Sequence, residues 1–232
     1  MKNKWFVFGV LLLSIGIFVG LSIFQKNEQA ASIPVPSAMQ ASQASSIPDE
    51  FKPEDSAEFI RPHSPRFGNE MARVPVVEWL DPECESCRAI HPAVKRLIAE
   101  YGDRVLFVIR FMPYHQGSMY AASALAEAKE LGKFEQALTV LFEKQPEWGD
   151  HHKPRPDLIP TYLTKLGIAL EKLDKATLIA KHGEKIRIDE DDGIKAGVKG
   201  TPSFFVNGKQ LRELGESPLR AAIDLELAST KK

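Results

Sequence analysis

The chain has 232 residues, 30 Lys and Arg against 31 Asp and Glu, a formal charge of −1, and 44% hydrophobic residues. That balance excludes the basic footprint of a nucleic-acid binder, and the ordinary globular composition leaves fold class to be read from pattern. Only two cysteines are present, which excludes a framework of several disulfides.

The first element is apolar. After Lys2 and Lys4, the stretch Trp5–Phe24 runs for about twenty residues without a charge. At about 1.5 Å per residue, a helix of that length spans the roughly 30 Å hydrocarbon core. It predicts a signal-anchor over residues 1–26 that crosses a membrane at residues 5–24. The lysines hold the N-terminus in the cytoplasm and send the rest of the chain across. The run exceeds the roughly 7–15 apolar residues of a cleaved signal, although Ala30 and Ala31 leave cleavage and release open as the alternative. Residues 27–65 read as a linker. Up to about residue 48 they are rich in Ala, Ser, Gln and Pro and too poor in large apolar groups to fold. About 22 such residues reach roughly 25 Å. Residues 49–66 place Phe51, Phe59 and Ile60 among charges and prolines. They read as a short helix or ordered arm, with self-association into a homodimer as the alternative to a plain spacer.

The remaining residues, 66–232, are long enough for one well-buried domain. Val74–Leu80 reads as a buried strand, and apolar spacing at Ile90, Val94, Leu97, Ile98 and Tyr101 predicts a helix over Glu83–Tyr101. Val105–Phe111 reads as a second strand, parallel to the first through a right-handed crossover. Residues 117 to 192 read as helices, with an apolar face from Ala121 and Leu125 through Leu138 and Phe142 to Tyr162 and Leu166. The stretch Trp148–Pro156, with His151 and His152, is expected to be an exposed loop. The acidic run Asp189–Asp192 is expected to be a solvated helix end, since it lacks the glycine and spacing of an EF-hand. Ser203–Val206 reads as a strand, Asn207-Gly208 as a two-residue hairpin turn, and Lys209–Leu211 as its antiparallel return. Ser217 and Pro218 are expected to cap and open a final helix.

Both cysteines fall at the strand-to-helix turn, as Cys84-Glu85-Ser86-Cys87. Such a pair can form one reversible disulfide or supply two ligands to a metal. Just before the first helical turn, Cys84 faces unpaired backbone N–H groups and the positive end of the helix dipole. Both favour the thiolate, which is the nucleophile of disulfide exchange. Cys87, one turn inside, is placed to resolve a mixed disulfide.

Four features extend this motif. Glu78 lies six residues before Cys84 on the preceding strand, and Pro92 five residues after Cys87 within the helix. Gly200-Thr201-Pro202-Ser203 leads into the strand Phe204-Phe205-Val206, and the turn Asn207-Gly208 closes it. Over roughly residues 66–228 the chain thus resembles the thioredoxin superfamily and, more narrowly, the DsbA-like thiol-disulfide oxidoreductases. The resemblance implies an α/β, thioredoxin-like fold: a mixed central sheet flanked by helices, with a helical insertion at about residues 117–192. It implies that Cys84 and Cys87 are catalytic and that Glu78 is a buried carboxylate serving them as proton acceptor. It further implies a kink at Pro92 and a cis Thr201–Pro202 bond whose loop aligns the substrate backbone. No cofactor is expected, because the electrons reside in the dithiol. The partners implied are cysteine-containing proteins and a membrane or periplasmic redox partner. The compartment is the periplasmic side of a bacterial inner membrane.

Two departures bear on the chemistry. Ser86 stands where the strongly oxidising DsbA-type site carries histidine, and Glu83 and Glu85 flank Cys84. Negative charge disfavours a thiolate, so Ser86 and Glu85 are expected to tune the site by raising the Cys84 pKa and making the pair less oxidising. Other readings stay open. Glu78 could be the exposed residue of an alternating strand. His91, four residues after Cys87, could share its face, and His115 is expected to cap or pack a loop. The same dithiol could serve an isomerase or reductase, or the cysteines could hold copper in a metal-delivery module. The fold could also serve a non-catalytic adaptor.

Overall fold

The computed structural model describes residues 59–229. The apolar run at residues 5–24, the tether at residues 27–48 and Phe51 lie outside the described residues. Among the described residues no helix is long and apolar enough to cross a membrane.

A five-stranded mixed sheet organises the domain. Its strands are β1 (Arg66–Gly68), β2 (Val74–Leu80), β3 (Val105–Phe111), β4 (Ser203–Val206) and β5 (Lys209–Gln210), in the order β1-β3-β2-β4-β5. β2 and β3 run parallel, as expected, and the other pairs are antiparallel. The limits of β2, β3 and β4 coincide with those predicted. The edge strand β1 has no counterpart among the expectations, because three residues are too few to display an alternation. The hairpin forms as expected, with Asn207 at φ 51° and Gly208 at φ 79°, the two positive φ values a type I′ turn demands.

The helices are α1 (Glu85–Tyr101), α2 (Ser118–Glu130), α3 (Phe134–Glu143), the short α4 (Gln145–Trp148), α5 (Ile159–Leu163), α6 (Lys175–Lys195) and α7 (Glu216–Ser229). α1 runs through Pro92 to Tyr101. Its apolar stripe, Val94, Leu97 and Tyr101, packs with α7 residues Leu219 and Ile223 onto one sheet face made by Val74, Val76, Val105, Phe107 and Phe204. The helices α2 to α6 form the insertion, whose core includes Leu80, both cysteines, Ile109 and Phe111 together with Leu125, Leu141 and Trp148. The dithiol therefore sits where sheet, α1 and insertion meet.

Alternation along β2 and β3 decides what each face sees. Val77, Trp79, Leu106, Val108 and Phe205 line the opposite face, with Phe59 and Ile60 packed on it. Phe59 meets both Trp79 and Phe205 edge-on, with ring centroids 5.6 and 5.2 Å away. The ordered arm is thus folded onto its own domain from Phe59 onward. α6 comes so close that a Cβ on Gly193 would lie 2.6 Å from Trp79 Nε1, which explains glycine there.

Three local expectations are corrected. Asp189 and Asp192 are each 1% exposed, not a solvated helix end. They face the buried Arg110 of β3, with Arg110 Nε donating to Asp189 Oδ1 at 2.6 Å and Nη2 to Asp192 Oδ2 at 2.5 Å. Arg61 adds Nε to Asp192 Oδ2 at 2.8 Å, and His63 Nε2 lies 2.7 Å from Asp189 Oδ1. Within the stretch read as an exposed loop, Trp148 is fully buried and donates from Nε1 to Leu141 O at 2.8 Å. α7 begins at Glu216, and Gly215 O accepts its first bond from Leu219 N. Ser217 is therefore inside the first turn, not its cap.

Candidate active site

Cys84 is the N-cap residue of α1, with extended φ and ψ of −76° and 124°. The residue is nearly buried, 8% exposed against none for Cys87, and both thiols are free. The Cys84 thiol donates to Thr201 O at 3.2 Å, so the loop that precedes β4 touches the sulfur directly. The Thr201–Pro202 bond is cis, as the resemblance implied.

The two thiols are electrostatically unlike. A hydrogen bond from the Cys87 thiol, with burial opposing it, then help from the Thr201 side chain and the Cys87 and Ser86 backbone amides, lowers the Cys84 pKa to about 5. Burial first, and then donation to Cys84 and the charges of Glu78 and Cys84, pushes Cys87 far up. At neutral pH the pair therefore exists as one thiolate and one thiol. The rate of iodoacetamide attack on the reduced protein is expected to follow a titration with its midpoint near pH 5. A midpoint at the usual thiol value, about 8.5, would show an unactivated Cys84. Since Cys84 is depressed in the folded state, the stability it contributes to the reduced protein is present above the unfolded-state pKa and fades as pH falls through about 5.

Glu78 occupies the β2 face that looks toward α1, in register with Ile109 on β3 and Phe204 on β4. It is 3% exposed, which rules out the reading as an exposed strand residue. Burial first, then the Cys84 charge, lifts its pKa to about 8. A carboxyl group that gains and loses its proton near neutrality thus lies beneath the two sulfurs.

The acidic flanks do not act as expected. Glu83 is 1% exposed, and its Oε2 accepts from Gly117 N at 2.6 Å and the Ser118 hydroxyl at 3.4 Å. Burial raises its pKa. Glu85 is exposed and lies 3.4 Å from His151 Nε2 through Oε2. Ser86 is exposed and contributes its backbone amide to the thiolate. Each carboxylate is directed to a partner from the insertion.

Several residues of this site were invisible as such in the sequence. Asp81, fully buried, anchors the turn: Oδ1 accepts from Glu83 N at 2.8 Å and from the Ser118 hydroxyl, and Oδ2 from Tyr114 N at 2.8 Å. Gln145 of α4 donates from Nε2 to Pro82 O at 2.9 Å and Cys84 O at 3.0 Å. A Cβ on Gly117 would lie 2.9 Å from Glu83 Oε2. The Asp-Pro-Glu tripeptide before Cys84 was the available signal for a hydrogen-bonded turn, whereas Gln145 carries none.

The histidines divide. His91 leans on α3, with its ring 5.0 Å from Phe142 and Nε2 3.4 Å from Thr139 Oγ1. Burial, followed by the Lys95 charge, lowers its pKa to about 4. His115 does pack a loop, yet the partner is Asp81 of the active-site turn, with Nδ1 2.7 Å from Oδ2. Among the described residues the group with metal-ligand spacing is Glu127, Glu130 and His182. Lys181 Nζ already sits 2.5 and 2.7 Å from its two carboxylates, and neither cysteine belongs to it.

Comparison with known proteins adds to the geometry. The family model described as thioredoxin matches residues 61–225. A Na(+)/H(+) antiporter NhaA of Herminiimonas arsenicoxydans is 32% identical over 149 residues, covering 62% of this chain and 22% of that protein. The chain thus spans about a fifth of the length of the first such relatives. Disulfide bond formation protein D of Bacillus subtilis is 29% identical over 180 residues, covering 70% of this chain and 77% of that protein. A crystal structure of a thioredoxin-like oxidoreductase from Silicibacter pomeroyi superposes with a TM-score of 0.63 at 27% identity, covering 74% of this chain and 96% of that one.

Proposed function

This chain belongs to the thioredoxin family, and from that premise we propose that it is a DsbA-like protein thiol-disulfide oxidoreductase acting in oxidative folding. It exchanges the Cys84–Cys87 disulfide with cysteines of extended polypeptides on the periplasmic face of a bacterial inner membrane. The observation that carries the reading is the pair of unlike thiols at the N-terminus of α1, with Cys84 near pKa 5 against Thr201 O and Glu78 buried beneath. The uncharged stretch at residues 5–24 supports the tether.

In the oxidised protein a substrate thiolate attacks the Cys84 sulfur. The Cys84–Cys87 bond breaks, a substrate–Cys84 disulfide forms, and the Cys87 sulfur leaves with the electron pair. Protonated Glu78 supplies the proton that Cys87 requires, since an isolated thiolate there is strongly disfavoured by burial. A second substrate thiolate then attacks the substrate sulfur and expels Cys84, which leaves easily because its thiolate is stabilised. The substrate gains a disulfide, and the protein ends as Cys84 thiolate and Cys87 thiol. In the opposite direction Glu78 as carboxylate takes the Cys87 proton and makes it the resolving nucleophile. Thr201, whose carbonyl already meets Cys84, and Pro202 provide the edge on which the substrate backbone is aligned. A separate redox partner resets the dithiol.

A Cys84 pKa of about 5 lies between about 3.5 for the most oxidising enzymes of this type and about 7 for thioredoxin. Equilibration of the full-length protein with glutathione is therefore expected to give a potential between about −120 and −270 mV. A value at or below the lower bound makes the chain a reductant and overturns disulfide donation. The lack of any reversible couple overturns the redox reading altogether.

A further inference from the structure

Position 86 holds serine, yet two imidazoles reach the active-site turn from distant parts of the chain. His115, between β3 and α2, bonds Asp81 through Nδ1. His151, after α4, stacks on it with ring centroids 4.4 Å apart and planes at 18°. His151 Nε2 in turn lies 3.4 Å from Glu85 Oε2. Asp81 precedes Cys84 by three residues and Glu85 follows it by one, so the stacked rings lean on both flanks of the nucleophile.

We propose that His115 is a positioning residue of the redox couple: as an imidazolium held by Asp81, it favours the Cys84 thiolate and ties reduction of the disulfide to uptake of an additional proton. The inference rests on the thiol-disulfide reading of the site. With Nδ1 directed at the Asp81 carboxylate, the second ring proton is carried at Nε2. The charged groups around it are Asp81, Glu83 and Cys84 from the turn, and beyond the stacked His151 lie Glu85 and Asp150. Burial works against the cation, but the Asp81 hydrogen bond and the charges of Asp81, Glu83 and Cys84 outweigh it and raise the His115 pKa above its usual 6.5. Cys84 thiolate exists only after reduction, so His115 binds its proton more firmly in the reduced protein than in the disulfide.

The balance is explicit. Two glutathione thiols give up two electrons and two protons and become one glutathione disulfide, the Cys84–Cys87 bond breaks, Cys87 takes one proton, Cys84 stays a thiolate, and the other proton goes to solvent. His115 then draws a further fraction of a proton from solvent. Below the His115 pKa of the disulfide form the ring is charged in both states, and above that of the reduced form in neither. Between them the potential falls with pH more steeply than one proton per two electrons. Glu78 also binds a proton more firmly beside the thiolate, but it does so with or without His115 and cancels in a comparison.

The test compares full-length wild type with His115→Gln, which keeps a donor toward Asp81 without the charge. Their glutathione equilibria are followed from pH 5 to 9. In the variant the equilibrium at pH 6 is expected to shift about tenfold toward the disulfide, which is about 30 mV. The difference closes by pH 9. Parallel pH curves for the two proteins overturn the inference. In wild type, nuclear magnetic resonance titration of His115 is expected to give a higher midpoint in the reduced than in the oxidised protein, and equal midpoints overturn it even if the variant does not fold. A protein without a reversible couple at any pH defeats the thiol-disulfide reading itself. A reversible couple with an unchanged slope defeats only the role given to His115.

Discussion

Cys84→Ser is expected to remove disulfide exchange, lowering turnover by at least about 10³-fold, whereas Cys87→Ser is expected to stop the reaction at a trapped mixed disulfide. The two substitutions remove the same atom type three residues apart, and only their surroundings differ. Cys84 is ionised at neutral pH because the helix N-terminus and the Cys87 thiol both donate to it. A serine hydroxyl there is not ionised and forms no disulfide. Cys87 is fully buried and held as a thiol, so it is out of reach of a protein substrate and reacts only with its neighbour. Incubation with a cysteine-containing peptide disulfide, followed by intact-mass analysis under non-reducing conditions, reads both outcomes. Adducts accumulating on Cys84→Ser rather than on Cys87→Ser would reverse the assigned order of attack.

The second large effect lies behind the sheet and concerns stability. Arg110→Met is expected to cost about 3–5 kcal/mol, because it leaves Asp189 and Asp192 buried beside a site emptied of its cation. For a domain of this size that corresponds to a fall in Tm of roughly 6–20 °C. Arg61 and His63 stay in place and moderate the loss, which puts the expectation toward the lower end of that range. The pH dependence has a definite sign. Asp192 is held below its usual 3.8, burial opposing and Arg61 and Arg110 prevailing. Its contribution is therefore present above pH 3.8 and fades as pH falls through the folded-state pKa, so wild type and variant converge in acid. Thermal unfolding at pH 7 and pH 3 measures both. A loss below about 1 kcal/mol at pH 7 would mean that the cluster is hydrated and behaves as a surface ion pair.

The same cluster shows where reading a sequence stops. Asp189-Glu190-Asp191-Asp192 is four acidic residues in a row, and by local pattern that is a solvated run. Two of the four turn inward because β3 carries one arginine on the face that α6 covers. Arg110 itself stood inside a strand predicted correctly to the residue, but its partner is 79 positions away. Glu83 and Glu85 repeat the lesson at the active site. Beside Cys84 in sequence, they are directed to Gly117 and His151 in space.

Much else was legible, and for a physical reason. A buried parallel strand is a continuous apolar run, a helix on a sheet repeats apolar residues at helical spacing, and an Asn-Gly turn has few alternatives. These are local signals, and they placed β2, β3, β4, the hairpin and the body of α1. The Cys-Glu-Ser-Cys motif at the end of β2 likewise located the candidate site, since any chain that enters a helix there presents its first cysteine to unpaired N–H groups. The sequence by itself therefore determined the strand–helix scaffold and which cysteine caps the helix. Tertiary structure alone decided the charge around that sulfur: Glu78 becomes a buried acid of pKa about 8, Gln145 clamps the turn, and His115 with His151 stands where position 86 holds none. The reason is that pKa values depend on burial and on contacts between residues distant in sequence, and those contacts exist only after the insertion has packed against the sheet.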